Sequence, residues 1–192
     1  LDIRVAAIVL TLNEEARLPI TLPWIAKYAD LTYVLDGGST DGTLEIAEKH
    51  VDRVMIRPAT GDIGGDRNFA ASQIPADYNW ILMADADEKF DQTFLEVMKR
   101  VPLQKTVLEG GPLAPCDVDA FKLPRINLPD ARNFPDYQVR FYKNTPEIRW
   151  VGKIHETLYR GGTRVDRVSC LPLDLYPIIH LKRRQDVERA WW

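Results

Sequence analysis

The sequence predicts an α/β domain with a mainly parallel central sheet flanked by helices and an irregular extension toward its C-terminal side. Three observations carry this. Four short apolar runs, Val5 to Leu10, Leu31 to Leu35, Val54 to Ile56 and Tyr78 to Met83, recur through the first half, the first and last almost unbroken, as in strands covered on both faces. Stretches of helical character separate them, at Glu15 to Ala29, Thr43 to His50 and about Asp66 to Gln73. Beyond residue 100 the alternation gives way to short strand candidates punctuated by proline turns.

Each element has a local reason. Pro19 and Pro23 interrupt the first helical stretch, so it is expected to bend or to divide into two short helices. Asp91 is a helix cap for a segment running to Arg100, with Phe94, Leu95 and Met98 inward and Pro102 as its stop. Val107 to Cys116 reads as a loop, followed by strand candidates at Val118 to Leu123, Gln138 to Tyr142, Ile148 to Val151 and Thr157 to Tyr159. There is no internal repeat and no linker composition. The 192 residues are therefore expected to form one domain, with a regular half over 1–100 and a second half over 101–192.

Composition bounds the function. The chain is 45% apolar and 28% charged, an ordinary globular balance. Its formal net charge of -3 argues against a dedicated nucleic-acid binder. No uninterrupted run of eighteen apolar residues occurs, and the opening lacks the basic start and apolar length of a signal peptide. Cys116 and Cys170 lie far apart and read as reduced thiols, so a cytoplasmic protein is expected, with peripheral contact at the inner face of a membrane left open. The first residue is Leu, and Trp191-Trp192 suggests packing against the body, an interface or a longer chain.

The chemistry gathers at strand ends. Asp85 and Asp87, in MADADE, follow the fourth apolar run, and two carboxylates at a sheet's mouth suit a hard divalent cation and phosphates. A cation bridging a diphosphate would stabilise the charge that grows as the diphosphate leaves. Asp87 is the better ligand candidate and Asp85 the better sugar-hydroxyl acceptor, while two acids after a strand also serve simply to cap a loop. Glu88 is either a substrate contact or a surface acid. Asp36, ending the second run, either accepts a bond from a nucleobase edge or forms an Asx-turn over Gly37-Gly38. Arg67, in GGDRNFA, either neutralises a phosphate, organises the aspartates or makes a surface ion pair. The glycines do not form a GxGxxG fingerprint, and HETLY lacks the second histidine of a zinc-protease helix.

Taken together, TLNEE, VLDGGSTDGT, GGDRNFA and MADADE, in this order across roughly the first 95 residues, resemble the family 2 glycosyltransferases, whose fold is the nucleotide-sugar-binding GT-A fold. The resemblance implies that 1–100 binds the nucleotide sugar and 101–192 the acceptor. It further implies that Asp36 reads the base, Thr11 and Glu14 line the nucleotide pocket, Asp85 faces ribose or sugar and Asp87 binds Mn²⁺ or Mg²⁺. The segment QVRFYKNTPEIRWVGKIHE resembles small bacterial enzymes that build lipopolysaccharide cores or other cell-surface sugars. Inverting transfer needs a base for the acceptor hydroxyl, and Glu156 is the candidate, against a purely structural role in an ion pair or beside His155. His180 is either a further cation ligand, as in related enzymes, or a structural histidine; Lys182, Arg183 and Arg184 either close over the diphosphate or start a solvated helix. The expected donor is a nucleoside diphosphate sugar, UDP-linked by preference, and the acceptor a saccharide or lipid-linked saccharide. A noncatalytic nucleotide-sugar-binding module of the same fold and a nucleotidyltransferase are the competing readings.

Overall fold

The computed structural model describes residues 2–103, 118–129 and 133–181. Among them a central sheet of nine strands runs in the order β3-β2-β1-β4-β7-β6-β12-β5, with β11 pairing β6 off this path. The strands are β1 (Val5–Thr11), β2 (Leu31–Asp36), β3 (Arg53–Ile56), β4 (Trp80–Asp85), β5 (Glu88–Phe90), β6 (Ala120–Leu128), β7 (Asp136–Lys143), β11 (Cys170–Pro172) and β12 (Ile178–Leu181). The helices are α1 (Leu18–Tyr28), α2 (Thr43–Glu48), α3 (Ile63–Ser72), α4 (Gln92–Val97) and α5 (Val165–Val168). A second sheet joins β8 (Ile148–Val151), β9 (Thr157–Arg160) and β10 (Thr163–Arg164) in the order β10-β9-β8.

The parallel half is the one the alternation predicts: β1 pairs β2 and β4 in parallel, and β2 pairs β3 in parallel. The other half makes the sheet mixed, because β7 pairs both β4 and β6 antiparallel while β12 lies parallel to β6 and antiparallel to β5. Strand β1 explains the layers. Val5, Ala7 and Val9 face a core built with Leu18, Leu22 and Ile25 of α1 and Phe94 of α4, and Ala6 and Ile8 face one built with Ala70 of α3, Trp150 and Leu158. Both faces are buried, which is why the strand carries no polar alternation.

Several boundaries differ from expectation. Helix α1 is a single helix starting at Leu18, with Pro19 in its first turn and Pro23 inside it, because the Glu14 carbonyl takes the amides of Arg17 and Leu18 in a preceding turn. Helix α3 starts at Ile63, three residues before Asp66, because Asp62 caps it by accepting from the Gly65 amide at 3.0 Å. Helix α4 ends at Val97, and Pro102 lies within a 3₁₀ turn at Val101–Leu103. Strand β4 begins at Trp80, and the three-residue β5 was not foreseen. The loop expected over 107–116, Cys116, the basic run 182–184 and the tryptophan pair 191–192 lie outside the described residues. No helix among the described residues is long and apolar enough to cross a membrane.

Candidate active site

The C-terminal ends of β1, β2 and β4 open on a cavity of about 410 Å³ lined by Thr11, Leu12, Glu14, Gly37, Arg57, Ala59, Asp66, Asp85, Asp87, Arg125 and His180. A second cavity, of about 670 Å³, is lined by Arg67, Asp85, Arg125, Asn133, Asp136, Gln138, Arg140, His155 and Glu156. The two share Ile63, Asp85 and Arg125. The strand ends thus form two adjoining chambers, with Asp85 on their common wall.

Asp85 is held by a chain of alternating charge. Its carboxylate accepts from Arg67 Nη2 at 2.8 and 3.1 Å and from Arg140 Nη2 at 2.9 Å. Arg67 also donates Nε to Glu156 at 2.7 Å, and Arg140 donates Nε and Nη2 to Glu88 at 2.7 and 2.8 Å. Arg67, Arg140 and Glu88 are 2%, 3% and 0% exposed, so these charges persist only because each is paired. Burial raises the Asp85 pKa, but the charges of Arg67 and then Arg140 outweigh it and bring it down to about 2. Arg140 moves upward: desolvation is outweighed by Glu88 and Asp85. Glu88 is therefore the buried anchor of the chain, not a surface acid or a contact at the cavity walls.

Asp87 and His180 meet across the β5/β12 edge. Leu181 donates its amide to the Asp87 carbonyl at 2.8 Å, and His180 pairs with Glu88 in the strand register. His180 Nε2 stands 2.9 Å from Asp87 Oδ2, and Nδ1 stands 2.8 Å from Asn127 Oδ1. Asn127 turns its Nδ2 to Asp136, which leaves Oδ1 to accept from Nδ1–H of His180. The Nε2 lone pair then faces a carboxylate, a pairing completed by a proton or a metal ion. One imidazole nitrogen and one carboxylate oxygen form a donor pair suited to Mn²⁺ or Mg²⁺, and neighbouring ligands on bonds of about 2.1 Å stand about 3 Å apart. The two side chains fit a divalent cation as a pair of neighbouring ligands. Among the described residues no group of three or more metal-ligating side chains occurs. Arg17 Nη1 stands 3.6 Å from Asp87 and donates to the Leu181 carbonyl at 2.8 Å, while its guanidinium pairs with Glu14. Thr21 fixes the Asp-Ala-Asp turn from below by donating its hydroxyl to the Ala86 carbonyl at 2.9 Å.

At the other end of the smaller cavity, Thr11 Oγ1 is buried without a hydrogen-bond partner. Asp36 is fully buried and holds its own turn: Oδ1 accepts from the amides of Gly38 and Ser39 at 2.8 and 2.7 Å, and Oδ2 accepts from the Ser39 hydroxyl. Gly38 has φ +97°, which favours glycine in this turn. Asp36 thus makes the Asx-turn, and Gly37 rather than Asp36 lines the cavity.

The larger cavity depends on a docked loop. Gly152–Glu156 lies against the first turns of α3: the Ile63 amide donates to the Lys153 carbonyl at 3.0 Å, and the Asn68 side chain clamps both backbone groups of Trp150 at 2.8 Å. A Cβ on Gly64 would stand 2.5 Å from the Gly152 carbonyl oxygen, so only glycine permits this approach. Gly152 and His155 have φ of +113° and +57°, folding the loop so that Glu156 reaches Arg67.

Sequence reasoning singled out eight residues; Thr11, Glu14, Arg67, Asp85, Asp87, Glu156 and His180 line these two chambers and Asp36 does not. It missed Arg17, Arg125, Asn127 and Arg140. Arg125 donates to Asp136 at 3.0 and 2.7 Å. Only Arg140 carried a signal, an arginine at an otherwise apolar strand in VRFY.

Uncharacterised glycosyltransferases of Rickettsia typhi and Rickettsia felis are 34% and 35% identical over 89 residues, 46% of this chain and 30% of each relative. The chain therefore spans about a third of the length of these relatives. A crystal structure of Staphylococcus aureus TarS superposes with a TM-score of 0.60 at 16% identity, covering 98% of this chain and 38% of that one. Glucosyl-3-phosphoglycerate synthase of Mycobacterium tuberculosis, solved with Mn²⁺, UDP-glucose and phosphoglyceric acid, superposes with a TM-score of 0.60 at 17% identity, covering 97% and 75%. These likenesses establish the GT-A-like fold. The family model for glycosyl transferase family 2 matches residues 6–147, and the chain belongs to that family.

Proposed function

We propose that the protein transfers a sugar, with inversion, from a nucleoside diphosphate donor to a saccharide hydroxyl, in cell-surface glycan synthesis. The observation that carries this reading is the pair of adjoining chambers, one with Asp87 and His180 at its wall, the other with Glu156, and Asp85 common to both. The smaller chamber takes the nucleotide. Its orphaned Thr11 hydroxyl offers a buried polar contact, and the Asp36 turn shapes the base end by holding Gly37 at the cavity wall. Asp85, immobilised by two arginines, accepts a ribose or sugar hydroxyl.

Asp87 and His180 would hold Mn²⁺ or Mg²⁺, which supplies positive charge to the departing diphosphate. A UDP-sugar is the favoured donor, by likeness to the Mycobacterium tuberculosis enzyme solved with Mn²⁺ and UDP-glucose. Glu156 takes the proton of the acceptor hydroxyl as its oxygen bonds to the anomeric carbon. The bond from that carbon to the diphosphate oxygen breaks, and the diphosphate leaves with the electron pair. Arg67, which also holds Asp85 on the common wall, fixes Glu156 in the larger chamber. A free thiol at Cys170 and a nucleotide-sugar donor both suit the cytoplasmic side of a membrane.

Incubation with UDP-sugars, Mn²⁺ and saccharide acceptors, read by product mass and by proton NMR of fresh product, tests this. A β-linked product from an α-linked donor is expected. Glu156→Gln should lower transfer roughly 10²–10⁴-fold while leaving donor affinity nearly unchanged. Retention of configuration would refute single displacement, and near-normal transfer by the folded variant would remove Glu156 as the base. Saturable donor binding without hydrolysis or transfer would favour a binding module.

A further inference from the structure

The larger chamber has a charge pattern that bears on its ligand. Among the described residues three arginines line it, and each is already engaged. Arg67 is shared by Asp85 and Glu156, Arg140 by Asp85 and Glu88, and Arg125 donates through Nε and Nη2 to one oxygen of Asp136. Arg67 Nη1 has no hydrogen-bond partner, but it is sealed from solvent, with its guanidinium carbon 5.2 Å from the Trp150 ring centroid. Among the described residues the acids at the wall, Asp85, Asp136 and Glu156, equal the arginines in number. Arg125 Nη1 stands 3.6 Å from Glu88, so a phosphate or carboxylate entering here would either strip a guanidinium from its partner and leave a carboxylate unpaired, or lie against a carboxylate.

Neutral hydroxyls meet no such penalty, since each can donate to Glu156 or Asp136 and accept from the amides of Asn133 and Gln138. The rim is apolar: Ile154 is 67% exposed and Tyr137 37%, with Pro135 between them at the wall, giving surfaces for the C–H faces of a ring.

We propose that this chamber binds the acceptor as an uncharged saccharide ring, and that the Arg125–Asp136 pair is the specificity element that turns away phosphorylated or carboxylated acceptors. This rests on the glycosyltransfer reading above and narrows its substrate class. Asp136 is a specificity determinant through Arg125: removing its charge releases a guanidinium on the wall common to both chambers.

The test uses the full chain with Mn²⁺ and a set of UDP- and GDP-sugars. Nucleotide release is followed against free hexoses and disaccharides, each matched with its phosphate ester, and products are identified by mass. Neutral acceptors should change nucleotide release saturably at concentrations at least about ten-fold below their esters, as expected where an anion meets paired charges. Asp136→Asn should narrow that preference at least about five-fold by unpairing Arg125. Asn133→Arg, which adds a cation at an exposed position of the same wall, should narrow it independently if Asp136→Asn does not fold. Equal or stronger response to the esters, or no saturable response to any neutral saccharide despite donor turnover, would overturn the proposal. Absence of donor turnover with every nucleotide sugar would instead overturn the transfer reading on which it rests.

Discussion

Gly64→Ala tests whether the docked loop, rather than Glu156 alone, makes the acceptor side competent. The added methyl would meet the Gly152 carbonyl oxygen at 2.5 Å, and the partner atom is backbone, so no side-chain rotation relieves the contact. Reaching ordinary contact requires the loop to retreat by roughly 0.9 Å, and overpacking of this kind costs about 1–3 kcal/mol. Alanine returns up to about 1 kcal/mol of helix propensity, less in the first turn, so the net loss of stability should be about 0–2 kcal/mol and the protein should fold. Function should suffer more. Glu156 is carried by this loop, and a displacement near 1 Å of a reacting group costs on the order of 10²-fold in rate. Transfer kinetics, calorimetric titration of UDP with Mn²⁺ and thermal unfolding together separate the effects: transfer falls, UDP affinity stays within about two-fold, and the melting temperature drops by a few degrees. Transfer within two-fold of the parent in the folded variant would refute the coupling between α3 and the base.

Two other expectations concern the donor side. Asp87→Asn should keep the fold but abolish most of the enhancement that Mn²⁺ gives to UDP binding, because an amide is a poor ligand for a hard cation; calorimetry with and without Mn²⁺ measures this, and unchanged enhancement removes Asp87 from the cation site. Asp85 titrates near 2 in the folded protein, below the ordinary carboxylate value of 3.8, so its stabilising contribution is complete above about pH 4 and is lost as pH falls toward 2. Asp85→Asn should therefore be less stable than the parent at neutral pH, with the gap in urea midpoint closing between about pH 4 and 2; a gap independent of pH would show that the two arginines do not depress this group.

The sequence by itself determined the parallel half of the sheet and the position of most site residues. Apolar runs such as Val5 to Leu10 and Tyr78 to Met83 need no tertiary information to be read as strands, because burial on both faces requires a continuous apolar run. Polar groups at the ends of three such strands converge wherever the strands are parallel neighbours, so Thr11, Asp36 and Asp85 were legible as one region. What Asp36 bonds to was not, since an Asx-turn and a ligand contact demand the same residue type in the same place.

Tertiary structure alone decided the partners that lie far apart along the chain. Arg67 and Glu156 are 89 residues apart, Arg140 and Asp85 are 55 apart, and His180 and Asp87 are 93 apart. No local periodicity encodes such pairs. They follow from β7 inserting antiparallel between β4 and β6, from β12 returning beside β5, and from Gly64 being thin enough to let a loop rest on α3. The burial of Glu88 belongs with them: in sequence it is one more acid after a strand, and only the arrival of Arg140 from 52 residues away makes a fully buried carboxylate tolerable there.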